Sequence, residues 1–192
     1  MKALVIIGVI FGALLIFGLA IGSFVVGNYN SFVSQNQSID GQWANVETNY
    51  QRRFDLIPNL VASVKGYLKQ EQKVFGDIAE ARKHYAGAAT PYAKAEAASG
   101  LDNALSRLMV IMENYPQLKS DATVQALMDE LAGTENRISV ERIRYNDLVR
   151  IYNTTLKSFP SNIVAMIFNF KERKMFEAVE SAATAPTVDL TN

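Results

Sequence analysis

Ala3 to Val26 is a run of 24 residues without a charge, in which Ser23 is the single hydroxyl. As α-helix, about 20 apolar residues cross a hydrocarbon core about 30 Å thick, so this run is long enough to span a bilayer. It divides the chain into three: 1–27 reads as a transmembrane anchor, 28–177 as a helical bundle domain, and 178–192 as a flexible tail with little to bury.

A cleavable signal peptide is the rival reading, with an apolar core of about 7–15 residues and a small-residue cleavage site. Gly18-Leu19-Ala20 offers such a site, but apolar residues continue beyond it to Val26, which favours an uncleaved anchor. No cysteine follows the run, so a lipid-modified N-terminal cysteine is ruled out. Lys2 precedes the span, whereas Gly27 to Gln51 contains neither Lys nor Arg. The positive-inside rule then predicts an N-terminus in the cytoplasm and a bundle outside it, on the periplasmic side.

Removing the span leaves about 166 residues, one domain by size. Basic and acidic residues balance at 19 each. With no basic stripe to neutralise phosphates, nucleic-acid binding is not expected. Zero cysteines exclude disulfides and thiolate metal sites.

Behind the anchor, Ile39, Trp43, Val46, Tyr50, Phe54, Ile57, Val61, Val64 and Leu68 cover 29 residues in eight steps. That is about 3.6 per step, the period of a straight α-helix. Tyr29, Phe32 and Val33 continue a partial stripe, so the anchor is expected to run into the first soluble helix unbroken, with a kink at Pro58. The stripe resumes through Phe75 and Ile78 and fades near Tyr85. A small-residue loop at Ala86 to Pro91 follows, with Thr90 as cap and Pro91 at the first helical position of a second helix. Leu101, Leu105, Leu108, Met112 and Tyr115 mark its buried face, and Pro116 stops it.

Ser120 or Asp121 caps the longest pattern, Val124, Leu127, Leu131, Thr134, Ile138, Arg142, Tyr145, Val149, Tyr152, Leu156 and Phe159. These eleven positions average about 3.5 residues per step, a heptad seam, and the helix ends at Phe159-Pro160. Ser161 caps a final short helix expected to reach about Phe176. The predicted fold class is all-α: an N-terminal transmembrane helix followed by an antiparallel up-and-down bundle of long helices.

Several strings resemble the LemA family. They are Arg52-Arg53-Phe54-Asp55-Leu56-Ile57-Pro58-Asn59-Leu60-Val61 with Val64-Lys65-Gly66-Tyr67, and Glu113-Asn114-Tyr115-Pro116-Gln117-Leu118-Lys119. Glu130-Leu131, Thr134-Glu135-Asn136-Arg137-Ile138, Arg144-Tyr145-Asn146, Tyr152-Asn153-Thr154 and Phe159-Pro160 complete the likeness, in order and over nearly the whole chain. The resemblance implies a small bacterial membrane protein with one N-terminal span, a helical domain and no assigned molecular function. Family descriptions often place the short N-terminus outside the cell; the charge argument places it inside.

Tyr145-Asn146 and Tyr152-Asn153 repeat at seven residues and so share one face of the last long helix. Glu135, Arg142, Asn146 and Asn153 lie on or beside that face, and Asn59 lies beside the stripe of the first helix. Two readings are open: a polar groove that binds something, or interhelical hydrogen bonds that fix register. The second is favoured, because buried amides must be paired. Arg52 and Arg53 beside Asp55 either recognise an anionic partner or, the favoured reading, form a solvated face with local ion pairs. His84, the single histidine, reads as solvated near a helix end.

Ile163 to Phe170 has one polar residue, Asn169, and is too short to span a membrane. Ile163, Ile167, Phe168 and Phe170 are therefore a candidate contact surface, which either closes the bundle, lies in the membrane interface or meets a protein.

No catalytic residue, metal site or cofactor is expected. The chain has no Cys, no Gly-x-Ser-x-Gly, no Gly-rich phosphate loop and a lone His, so enzyme activity is not expected. Sequence reasoning leads to a membrane-anchored scaffold or adaptor of the bacterial cell envelope, in the cytoplasmic membrane, partnered by another envelope protein or by copies of itself. The alternative is a lipid- or ligand-binding module at the membrane surface.

Overall fold

The structure is a computed structural model that describes residues 2–68 and 71–176. The expected tail at 178–192 lies outside the described residues, as does residue 177. Among the described residues every regular element is a helix. In chain order these are α1 (Lys2–Lys65), α2 (Gln72–Gly87), α3 (Pro91–Met112), α4 (Pro116–Lys119), α5 (Ala122–Lys157) and α6 (Ser161–Ile167).

The 64-residue α1 carries the apolar run and the soluble stripe in one unbroken helix that continues through Pro58. It stops at Lys65, where the Val64 carbonyl accepts from the N–H groups of both Tyr67 and Leu68 at 3.0 and 3.1 Å. The stripe beyond this point, read from sequence as a continuation, belongs to the separate helix α2. Leu68, Val74 and Ile78 are all buried, so one core keeps the apolar period alive across a break in the backbone.

The caps follow local chemistry. Thr90 accepts from the Ala93 N–H at 3.2 Å with Pro91 beginning α3. Asp121 accepts from Thr123 and Val124 at 2.8 and 3.1 Å and starts α5, the second of the two caps the sequence offers.

The chain forms two compact units, each drawing on α1 and α5. The first consists of residues up to Gln42 with Asp147–Arg173. Its buried side chains include Phe32, Ile39, Val149, Tyr152, Val164 and Ala165. The second consists, among the described residues, of Trp43–Asn146 with Lys174–Phe176. Its core runs from Val46, Phe54, Ile57 and Leu60 through Ile78, Leu101, Leu105 and Leu108 to Leu118, Leu131 and Ile138.

The last helix is shorter than the sequence suggests. Asn169 takes φ 57°, the left-handed region that short polar side chains tolerate. Around it the Asn169 N–H donates to the Met166 carbonyl at 3.3 Å and the Phe170 N–H to the Ala165 carbonyl at 2.9 Å. This Schellman arrangement satisfies the last carbonyls and turns the chain out of the helix, so Lys171 to Phe176 is not helical. Ser161 is inside α6 rather than its cap; its hydroxyl donates to the carbonyls of Thr155 and Ser158 at 2.6 and 2.8 Å.

Candidate functional site

In the first unit, an aromatic cluster gathers where α1 meets the chain leaving α6. Phe168 packs on Tyr29 with ring centroids 4.9 Å apart, and Phe170 packs on Phe32 at 4.9 Å. Phe32 meets Tyr152 edge-on at 6.0 Å. The Tyr152 hydroxyl donates to the Lys171 carbonyl at 3.0 Å. Asn153 holds Arg173 from both sides, its Nδ2 donating to the carbonyl at 2.8 Å and its Oδ1 accepting from the N–H at 3.0 Å. The Arg173 side chain in turn pairs with Asp40 on α1.

The same unit leaves apolar surface uncovered. Phe159 and Met166 are each 81% exposed and Ile167 is 66% exposed, with Ile163 and Phe168 about half exposed. The heptad seam places Phe159 inside, but Pro160 follows it and α5 has already ended at Lys157. Of the candidate contact surface, Ile163, Ile167 and Phe168 therefore face solvent, whereas Phe170 is half-buried against Phe32.

In the second unit, Asn146 treats Phe176 as Asn153 treats Arg173. Its Nδ2 donates to the Phe176 carbonyl at 2.9 Å and its Oδ1 accepts from the Phe176 N–H at 2.8 Å. The Phe176 ring sits 4.9 Å from Tyr145 and 5.9 Å from Trp43, with the Arg142 guanidinium over it at 4.9 Å.

Also in that unit, Arg53 is 7% exposed and pairs with Asp102 at 2.6 Å and with Glu135. One cation thus answers two carboxylates, and burial still governs Asp102: desolvation pushes its carboxyl up to about 6, against the opposing pull of Arg53. Beside this trio is a cavity of about 400 Å³ lined by Leu105, Met109, Met128 and Leu131. Tyr50 is likewise desolvated, its hydroxyl pushed up to about 12.

The five residues read as a polar network do not form one network, although Arg142 and Asn146 both meet Phe176. Asn59 is exposed on α1 and offers only its backbone carbonyl, to the Ser63 hydroxyl at 2.9 Å. Glu135 answers Arg53, and Arg142 covers a ring. Asn146 and Asn153 grip backbone beyond α6, not another helix, so the register-fixing reading does not describe them. Arg53 also departs from the solvated face read for it: Arg52 is exposed and pairs with Glu130 at 2.6 Å, while its neighbour turns inward. His84 is 70% exposed, 3.6 Å from Glu80. Among the described residues no group of three His, Cys, Asp or Glu is placed to hold a metal ion.

The sequence model for the LemA family matches residues 42–190, more than half of the chain. The chain belongs to the LemA family. This LemA-family chain is 29% identical over 174 residues to the magnetosome protein MamQ of Magnetospirillum gryphiswaldense, covering 77% of the chain and 64% of that relative. MamQ 1 of Paramagnetospirillum magneticum is also 29% identical, over 175 residues, with 78% and 64% covered. Protein LemA of Metamycoplasma hominis is 24% identical over 171 residues, covering 87% of this chain and 78% of its own. The chain therefore spans just under two thirds of the magnetosome relatives. The family match includes both Tyr-Asn pairs, Arg53 and α6, whereas Tyr29, Phe32 and Asp40 precede it.

Proposed function

We propose that this LemA-family chain is a non-enzymatic helical scaffold of the bacterial cell envelope. The apolar half of α1 holds it in the cytoplasmic membrane, and the bundle stands on the periplasmic side. One observation carries the reading. α1 passes from a run that is apolar on all sides to a striped, core-forming helix without a break, so anchor and bundle share one element. A helix that is apolar all round needs lipid or protein around it, and a striped one needs a bundle. The sequence supports the absence of chemistry through its lack of Cys and its lone exposed His84, and the shielded Asp102 carboxyl is held in an ion pair with Arg53. The partners of such a scaffold are a second envelope protein or further copies of itself.

Two measurements on full-length protein in intact membranes test this. Protease added to spheroplasts is expected to degrade the bundle; full protection, with cleavage only after lysis, overturns the periplasmic placement. Crosslinking in those membranes followed by mass measurement is expected to yield a discrete larger species, and uncrosslinked monomer alone counts against the scaffold. A second reading, in which the domain engages lipid directly, is favoured by the bare apolar side chains of α6.

A further inference from the structure

We propose that α6 and its flanks form a second membrane contact, seated in the interfacial zone of the leaflet from which α1 emerges. This rests on the anchor reading above and adds what that reading lacks: a specific surface of the bundle that touches lipid.

The placement follows from contacts within the first unit alone. Phe168 lies on Tyr29, Phe170 lies on Phe32, and Arg173 pairs with Asp40. Residues 168 to 173 therefore climb α1 away from the anchor. Followed backward, the same segment descends to Tyr29, and α6 is joined at that lower end. Tyr29 is three residues past Val26, the last apolar residue of the run, which is about 4.5 Å of helix rise. Phe168 is thus held within one helical turn of the point where α1 leaves the hydrocarbon. Tyrosine at that depth matches the aromatic belt of membrane–water interfaces.

The chemistry of the stretch fits the same zone. Residues 159 to 170 carry no charge, and the side chains left bare there are Phe159, Met166 and Ile167. In water this is an unsupported apolar patch; in the boundary between head groups and acyl chains it is covered. Lys171, which ends the stretch, is long enough to carry its ammonium group into the head-group layer while its stem stays beside apolar surface, whereas Lys157, before it, pairs with Glu172 at 2.6 Å. A protein partner on this patch has to share the same few ångströms with lipid head groups, which is why the bilayer is the favoured occupant. Anchor and α6 together give two points of attachment.

The test uses the full chain in phosphatidylcholine vesicles. Trp43→Phe removes the single tryptophan, and Met166→Trp then reports from the tip; its side chain is mostly exposed, so the fold is expected to accept the ring. Phe159→Trp serves as a second reporter and Val140→Trp, partly exposed on α5, as the control. Lipids brominated near the head of the acyl chain quench a ring lying about 5–10 Å into the interface, so emission at 166 and 159 is expected to fall by about twofold or more, and at 140 hardly at all. Alkaline carbonate extraction of the same vesicles separates the two readings. Protein that resists extraction, with tip tryptophans untouched by bromine, overturns the α6 contact and leaves the anchor standing; shielding of those rings from aqueous acrylamide then identifies a protein cover. Protein released by carbonate overturns the anchor and, with it, this inference.

Discussion

The apolar side chains in the two halves of α1 are of the same types and meet opposite fates. In the first, Leu4 is 74% and Phe17 64% exposed, with apolar side chains on every side. In the second, Val46, Ile57, Leu60 and Val64 are at or near complete burial, while Arg52, Asp55 and Asn59 between them face out. The halves differ in how much apolar surface they carry and in its distribution around the axis, on every side in the first and in one stripe in the second. A stripe can be covered by neighbouring helices, whereas an apolar cylinder cannot be covered by a bundle on one side. On the proposed reading the helix changes solvent along its length, and the change can be tested residue by residue.

The largest expected difference is in packing. Leu60→Ala removes a side chain with no exposed surface and is expected to cost about 2–5 kcal/mol, the range for a leucine deleted from a close-packed core. Leu14→Ala, at a bare position on the same helix, is expected to stay within about 0.5 kcal/mol, as exposed substitutions do. Urea unfolding of the full chain in detergent, followed by circular dichroism, compares them directly. Equal losses at the two positions break the contrast.

Next in size is the hold on the segment after α6. Asn153→Ala strands the N–H and carbonyl of Arg173, each now paired, at a cost of about 1–3 kcal/mol for half-buried backbone groups left without partners. Hydrogen exchange of peptides covering residues 168–176 is expected to quicken, with Asn59→Ala as the silent control because that side chain is exposed and bonds nothing described. Unchanged exchange in the Asn153 variant shows that the aromatic contacts alone retain the segment.

These expectations mark how far the sequence could be read. Helix periods are local, so the stripe of α1, the caps at Thr90 and Asp121 and the span of α5 were legible from residue spacing. The end of α1 was not, because Val64 and Val74 feed one core from two helices, with Leu68 of the connection buried between them, and the period stays intact across the break. Partners distant in sequence were the other blind spot. The seven-residue repeat of Tyr-Asn pairs was plain, but an asparagine's preference for a backbone over another amide is decided by which chain arrives beside it. Arg53 was half legible: it lies three residues after Tyr50 and four before Ile57, on the buried stripe, but the Asp102 and Glu135 that pair with it come from α3 and α5.

The smallest effect is electrostatic, and it asks whether water is truly excluded along the striped half of α1. Asp102 has a pKa of about 6 in the folded chain against 3.8 for the free side chain, with desolvation as the leading cause. The folded state then holds more protons than the unfolded state between those values, so stability falls as pH rises through that window. What this carboxyl contributes is fully present below about 3.8 and is lost by the time the pH has passed 6. Asp102→Asn removes the titration and leaves Arg53 paired with Glu135. Melting temperature measured from about pH 4 to about pH 7 is expected to fall less steeply in the variant, so that variant minus native rises with pH. A difference that is flat, or that declines, shows a carboxylate in ordinary contact with water, and with it a pocket around Arg53 wetter than the burial of that side chain implies.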